Sequence, residues 1–449
     1  MGKKTKDSNL SIEKRLEQSL IPNWDEPYKL PENWCWVRID AIASIYTGNS
    51  INEHVKEEKY AGRSDGLVYL ATKDIDFNST IDYETNVRIP ETEGFKVAPK
   101  YSTLLCIEGG SAGRKVGFIM QDVCFVNKLC AFAPLGQNNP KYLYYLIQSD
   151  TFKKQFDAKK HGLIGGVSVK EVSAIYVPFA PIEYQNRIVT HIESLFTKLD
   201  EAKEKAQEVV DGFESRKAAI LHRAFSGVLT AEWRKKNGFE QLEYNKKRFD
   251  EVAVIRSNLV DPAEFQSYPH IAPDNIEKKT GVLLEYHTIA EDNVKSGKHR
   301  FYPGQILYSK IRPNLSKVVI VDFDGLCSAD MYPIEAVGDT KCLWYFMLSE
   351  SFLEQASSAG SRSVLPKINQ KELSALTVTI PDSIEEQREI ARIVDSLLTK
   401  EYQAKETAET VIEQIDTMKK AILARAFRGE LGTNDPIEES AIELLKRII

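Results

Sequence analysis

The chain has 449 residues, 42% of them hydrophobic and 28% charged, with a formal net charge of −6. That length accommodates two or three domains, and the composition is that of an ordinary soluble globular protein. No apolar run approaches the ~20 residues of a membrane span, no apolar core follows the N-terminal lysines as in a secretory signal, and the acidic balance argues against a uniformly basic nucleic-acid binder.

The expected location is therefore the cytoplasm, with no membrane partner. The six cysteines (Cys35, Cys106, Cys124, Cys130, Cys327, Cys342) form no CxxC pair and mostly lie in apolar runs, so they read as buried reduced thiols. The seven histidines form no HxxxH or HxH pair, and no metal site is expected.

In chain order, residues 1–33 read as an N-terminal helical extension, amphipathic in LSIEKRLEQSLI. Residues 34–180 carry short β-branched and aromatic runs divided by Gly, Pro, Asn and Asp, then the helix-like NPKYLYYLIQSDTFKKQF. That is a mixed α/β domain. Its candidate nucleic-acid contacts are Lys73, Ser111, Arg114, Lys115, Lys128 and the cluster Lys153, Lys154, Lys159, Lys160, which leads into the Gly-rich HGLIGG.

Residues 181–233 predict a long helix. Ile188, Ile192, Leu195, Leu199, Ala202, Ala206, Val209, Phe213 and Ile220 recur at steps of three and four, interrupted only by Arg216, and Phe225 follows. A seven-residue apolar repeat with charged flanks is the signature of a coiled-coil seam. After a linker at 234–246, a second α/β domain occupies 247–381. Here Val294 to Lys317 contains no acidic residue but includes Lys295, Lys298, Arg300, Lys310, Arg312 and Lys317, interleaved with Phe301, Tyr302 and Tyr308. Basic groups beside hydrogen-bonding side chains such as Asn314 suit phosphate positioning and base-edge reading, and Arg362 occupies a later loop.

A second long helix is expected over 382–431, with Ile390, Val394, Leu397, Ala404, Ala408, Val411, Ile415, Met418 and Ile422 in register, Glu401 breaking the series, and Phe427 near the end. Asp382-Ser383-Ile384-Glu385 offers capping chemistry at its start. Gly227 and Gly429 stand where a left-handed residue stops each helix. Residues 432–449 form a C-terminal helical tail (ESAIELLKRII), which either packs on the frame or a partner or is solvated, as does the N-terminal extension.

The two helices are one segment written twice. Residues 182–229 and 384–431 align without a gap at an offset of 202, with 22 of 48 positions identical. The period far exceeds any solenoid unit, so the duplicated object is domain-sized. A rod of about 45 helical residues is roughly 65 Å long, and its duplicate is the obvious antiparallel partner. The fold class expected is α+β: two α/β domains separated by two long antiparallel coiled-coil helices in a pseudo-twofold repeat. The domains between have diverged, which suggests analogous tasks on different targets.

Catalytic motifs are missing. Ser296-Gly297-Lys298 has Asp292 where a phosphate loop needs its first glycine, and Gly109-Gly110-Ser111-Ala112-Gly113 is not GxGxxG. No Asn-Pro-Pro-aromatic or Asp-Pro-Pro-aromatic motif of amino-methylating enzymes is present.

The order LPENWCWVRI, IEYQNRIV, AFSGVLTAEWR, IEEQREIARIV and AFRGELG resembles the specificity subunit of type I restriction–modification systems across essentially the whole chain. Tyr184 departs from the acidic residue usual before the helix-start glutamine. The resemblance implies two target-recognition domains, each reading half of a bipartite double-stranded DNA site, and helices that set the spacing and dock two modification subunits. Two restriction (motor-nuclease) subunits complete the implied complex. It further implies that this chain is not an enzyme and binds no cofactor, with S-adenosylmethionine, ATP and Mg²⁺ on the partners. The alternatives are a stand-alone DNA-binding regulator or scaffold, or a self-sufficient enzyme.

Overall fold

The computed structural model describes residues 11–22, 26–162, 165–239, 244–360 and 366–449. It divides into two compact units, Met1–Glu204 with Val411–Ile449 and Lys205–Thr410, so each unit takes part of each long helix.

In the first unit β1 (Cys35–Arg38) pairs antiparallel with the strand that closes the domain, Tyr176–Phe179. A second sheet joins β2 (Ala43–Thr47), Leu129–Pro134, Thr103–Cys106 and Val116–Phe118, in that order and antiparallel throughout. A third joins Arg88–Ile89, Leu67–Leu70, Val123–Phe125 and Val97–Ala98, with Leu67–Leu70 and Val123–Phe125 parallel. In the second unit Ala253–Ile255, Met331–Ala336, Ile306–Ser309 and Val318–Ile320 repeat the order of the second sheet. Pro269–Ile271 and Gly325–Cys327 supply the matching parallel pair, and among the described residues this sheet has Leu259–Val260 as an additional strand. The domains that diverged in sequence thus share a topology.

Each domain packs a short helix against its sheets, Pro140–Gln148 capped by Asn139 and Thr340–Met347 capped by Asp339. The duplicated glutamines tie these caps to the long helices. Gln185 accepts from the Asn139 amide (3.0 Å) and donates to the Ala180 carbonyl (2.9 Å). Gln387 does the same with Asp339 (2.8 Å) and Pro381 (2.8 Å). Both are buried, so their hydrogen-bonding capacity is spent on fixing the angle at which helix leaves domain.

The helix ends are built alike. Gly227 (φ 76°) and Gly429 (φ 74°) are left-handed, and the amides after them reach back to Arg223 (3.1 Å) and Arg425 (2.9 Å), closing Schellman caps as expected. At the start of the second helix, Ser383 Oγ accepts from the Glu386 amide at 3.2 Å.

The first long helix, which ends at Gly227 as expected, is interrupted into Ile182–Asp211 and Phe213–Phe225, and the short Ala231–Lys236 follows it. The first break is at Gly212. A Cβ there would meet Arg216 Nη1 at 2.3 Å, and Arg216 donates to the Val209 carbonyl (2.7 Å). Glycine thus makes room for an arginine lying back along its own helix. The second helix runs unbroken over Ile384–Ala426.

Within the first unit, Asp200–Lys419 (2.5 Å) and Lys203–Asp416 (3.2 Å) bridge segments running in opposite directions. Within the second, Arg216 meets Glu401 at 2.7 Å and the Phe213 ring meets Tyr402 at 4.8 Å. The two residues that interrupted the apolar series are each other's partners.

The buried face departs from a strict heptad. Ile188, Phe213, Phe225, Ile390, Ile415 and Phe427 are buried, Leu195, Ile220, Leu397 and Ile422 are half-buried, and Leu221, Leu398 and Leu423 lie deeper. A helix that also covers its domain needs an apolar face wider than a two-residue seam. Ala202 and Ala404 are exposed, and Ala206 and Ala408 of the same series face inward. The tail helix Ala441–Ile448 buries Ala441, Leu444 and Leu445, and Arg15 of the helix Ile12–Ser19 donates to the Ile449 carbonyl at 2.5 Å, so these two terminal helices meet within the first unit. Among the described residues no helix is long and apolar enough to cross a membrane. All six cysteines are buried, as expected.

Candidate nucleic-acid interface

Each domain brings three chain segments together at one end of its sheets. In the first, strand Thr103–Cys106 runs into loop 107–115. The Gly109 amide donates to Gly165 (2.9 Å) and the Val167 amide to Ile107 (3.0 Å), laying this loop on residues 165–167. Lys115 Nζ donates to the Thr72 carbonyl (2.8 Å), which attaches the turn at 72–81.

The second domain repeats the joints with different residues. The Arg312 amide donates to Pro366 (2.7 Å), the Ile368 amide to Lys310 (2.9 Å), and Lys317 Nζ to the Pro273 carbonyl (2.7 Å). Even the turn caps match: Asp74 accepts from the Ala71 amide (2.7 Å) and Asn275 from Ala272 (2.8 Å). Backbone bonding preserves the composite face while side chains are free to change, the condition for reading different targets.

The backbone carries a further signal. The first loop uses Gly109 (φ 83°) and Gly113 (φ 77°), whereas the second places Arg312 (φ 47°) and Ser316 (φ 45°) in the left-handed region. Arg312 sits at the joint that Gly109 makes in the sister domain. A non-glycine there costs about 1–2 kcal/mol, so the exposed guanidinium is being held outward at a price.

The predicted cations divide by environment. Lys73, Arg114, Lys128, Lys154, Lys295, Arg312 and Asn314 are exposed, and Ser111 is half-buried in the first loop. Lys298 is buried and bonds Ser296 (Oγ 2.7 Å), and burial pulls its amine down, so it is not a surface cation as expected. Its strand turns this side chain inward. Lys310 lies over the Tyr332 ring (5.2 Å) with Asp330 at 3.9 Å, and burial followed by repulsion from Lys367 lowers its amine. Arg300 packs among Phe265, Tyr268 and Tyr302, whose ring centres lie 5.4, 5.9 and 4.9 Å away. Lys153 is half-buried with its amine lowered by burial, half-buried Lys159 follows its helix, and Lys160 pairs with Asp157 (2.6 Å). These six groups therefore stand apart from the freely exposed loop cations. Arg362 lies outside the described residues.

Two residues of these faces, Phe77 and Asp330, are not basic and carry no signal in the charge pattern. Phe77, 58% exposed, projects from the first turn with Arg114 and Lys115 over its ring at 4.8 and 5.1 Å. An exposed ring flanked by cations suits stacking on a nucleobase. Asp330, held by Lys367 at 2.8 Å, stands where the first domain has Lys128: the amides of Lys310 and Ile107 make the same bond to their carbonyls. A carboxylate can accept from a cytosine amino group. Exposure on an isolated turn and an acid among bases leave no periodic trace in a sequence.

The comparisons with known proteins agree with this duplicated architecture. Residues 31–210 and 235–414 each match the family profile described as type I restriction modification DNA specificity domain. The chain is 37% identical over 338 residues to the type I restriction enzyme EcoDI specificity subunit of Escherichia coli, covering 69% of this chain and 76% of that one. It is 20% identical to the EcoKI specificity subunit of Escherichia coli strain K12, over 94% and 96% of the two chains. The HsdS subunit from Thermoanaerobacter tengcongensis has a similar fold, with a TM-score of 0.62 at 18% identity, covering 91% of this chain and all of that one. A chain from work on complex assembly and conformational transition of the type I R-M system gives 0.67 at 18%, over 90% and 100%. Two matched domains, on a frame duplicated without a gap, place this chain in the type I restriction–modification DNA specificity family.

Proposed function

We propose that this chain is the sequence-specific DNA-recognition subunit of a type I restriction–modification complex. Domain 34–180 reads one half of a bipartite site and domain 247–381 the other. The helical regions 181–233 and 382–431 pair as an antiparallel coiled coil, fix the gap between half-sites, and dock two modification subunits. Two restriction subunits join that assembly. Methyl transfer and cleavage belong to the partners, which carry S-adenosylmethionine, ATP and Mg²⁺, so this chain is non-catalytic and works in the cytoplasm.

The observation that carries this reading is the shared three-segment face, with Arg312 strained at the joint where the other domain has Gly109. An arginine fork there can bond a guanine edge bidentately, while exposed lysines position the phosphate backbone. Two unlike readers on one frame address two unlike half-sites at a spacing set by protein geometry.

The test is to express the chain with a modification subunit from its own gene neighbourhood and map methylated adenines across a genome, for wild type and Arg312→Ala. A bipartite motif with a constant gap is expected, relaxed at one base of one half in the variant by about 1–3 kcal/mol. Tight DNA binding by the chain alone, with no methylation and no copurifying subunit, would instead identify a stand-alone regulator.

A further inference from the structure

The long-helix segment Phe213–Phe225 carries a lysine that does not behave like its duplicate. Lys419, at the equivalent place in the second helix, makes a surface pair with Asp200 at 2.5 Å. Lys217 is 4% exposed, and its Nζ donates to the backbone carbonyl of Lys279, in the turn of the second domain's reading face. Burial pulls this amine down, with Glu214 and Glu277 opposing that shift and Lys279 and Lys405 adding to it.

The turn that Lys217 grips leads to Arg312. The Lys279 amide donates to the carbonyls of Leu315 (3.1 Å) and Ser316 (3.3 Å), and the Leu315 amide donates to Arg312 (2.9 Å). Three residues along this path, Lys279 (φ 63°), Arg312 (φ 47°) and Ser316 (φ 45°), are non-glycines in the left-handed region. Conformations of that kind persist only where their surroundings over-determine them. A cavity of about 200 Å³ lies beside the path, lined by Glu214, Lys217, Lys279, Ser316, Leu348 and Leu353, so close packing alone does not clamp it.

We propose that Lys217 is a positioning residue for target reading: from the docking helix it holds the Lys279 turn, and through it the Arg312 loop, in the conformation that discriminates bases. Discrimination by the second domain then depends on a side chain the DNA does not touch. The helix that receives a partner subunit is also wired to a reading loop. This rests on Arg312 reading a base, as proposed above.

The experiment uses the full chain assembled with its modification subunit and measures methylation of cognate DNA against DNAs substituted in one half-site at a time. K217M should lower discrimination at the second domain's half-site by about tenfold, as R312A does, and leave the first half-site unchanged. K419M, the internal control, should leave both unchanged. In the K217M/R312A double variant the loss should be no greater than in R312A alone, because the two act through one loop. Equal loss at both half-sites, additive losses, or unchanged discrimination in K217M would overturn the proposal. If R312A itself loses nothing, the reading of Arg312 falls instead. Should K217M fail to assemble, K217Q decides between a loss confined to one half-site, which supports the proposal, and a uniform one, which contradicts it.

Discussion

The same structural problem, joining a long helix to its domain, is solved in the first unit with aromatic packing and in the second with charge. Tyr184 is fully buried, edge-on to Trp34 with ring centres 4.5 Å apart, and its hydroxyl donates to the Ala426 carbonyl (2.8 Å). At the duplicate position Glu386, also buried, accepts from Arg234 (2.6 Å), Thr230 (2.6 Å) and Tyr244 (2.9 Å). The tyrosine that departs from the family pattern thus belongs to a complete replacement of the junction. The helix pairs differ in the same sense: Arg216–Glu401 in the second unit corresponds to Met418 and Leu199 in the first. At the junction, equivalent positions have exchanged a buried tyrosine for a buried carboxylate.

That contrast can be broken most severely at Glu386. Glu386→Ala leaves Arg234 buried without its carboxylate and should destabilise the second unit by about 3–5 kcal/mol. Tyr184→Phe in the first unit loses one hydrogen bond, about 1 kcal/mol. Thermal unfolding of both variants should give that order, and equal losses would show that the junctions do not differ in kind.

The candidate interface loops offer a sharper pair. Arg312→Gly should raise stability by about 1 kcal/mol by relieving the left-handed strain, while base discrimination is lost. Gly109→Ala should lower stability by a similar amount, since a Cβ there meets nothing within 4 Å and only the backbone pays. Opposite signs in chemical denaturation are the expected outcome.

A smaller effect is expected from rewriting the ionic rung as its duplicate. The pair is partly exposed, with side chains 38% and 24% accessible, so the double change Arg216→Met with Glu401→Leu should alter stability by less than about 1 kcal/mol. Glu401→Leu alone, which strands Arg216, should cost more than the double change.

The smallest effect is in acid. Bonds from Ser168 Oγ–H and its amide, then His161, hold the Glu171 carboxyl down at about 2, against an ordinary 4.5. A lowered carboxylate stabilises fully above its unfolded value and loses that contribution as the pH falls. Stability should therefore drop between pH 4.5 and 2, and Glu171→Gln should flatten this part of the profile, measured as unfolding midpoint against pH.

The frame was legible because its signals are local and repeated: heptad spacing, helix-stop glycines, and an ungapped alignment of two copies. The pairing of Arg216 with Glu401 was hidden in the same pattern, since each residue reads alone as a defect. The candidate interfaces were legible only in part. Loop cations such as Arg114 and Arg312 stand out by composition, but Lys298 looks identical in sequence and turns inward. The matching topology of the two domains rests on backbone bonds that almost any side chain can accompany. For that reason the divergent sequences show the match only as a shared α/β pattern, without strand order or register.

The most direct test of the account lengthens the ruler. Equal insertions of one helical turn into 195–210 and 397–412 should leave both half-sites intact and widen the gap between them, as read from the methylated motif of the assembled complex. An unchanged gap, or altered half-sites with the gap preserved, would contradict the division between a frame that measures and domains that read.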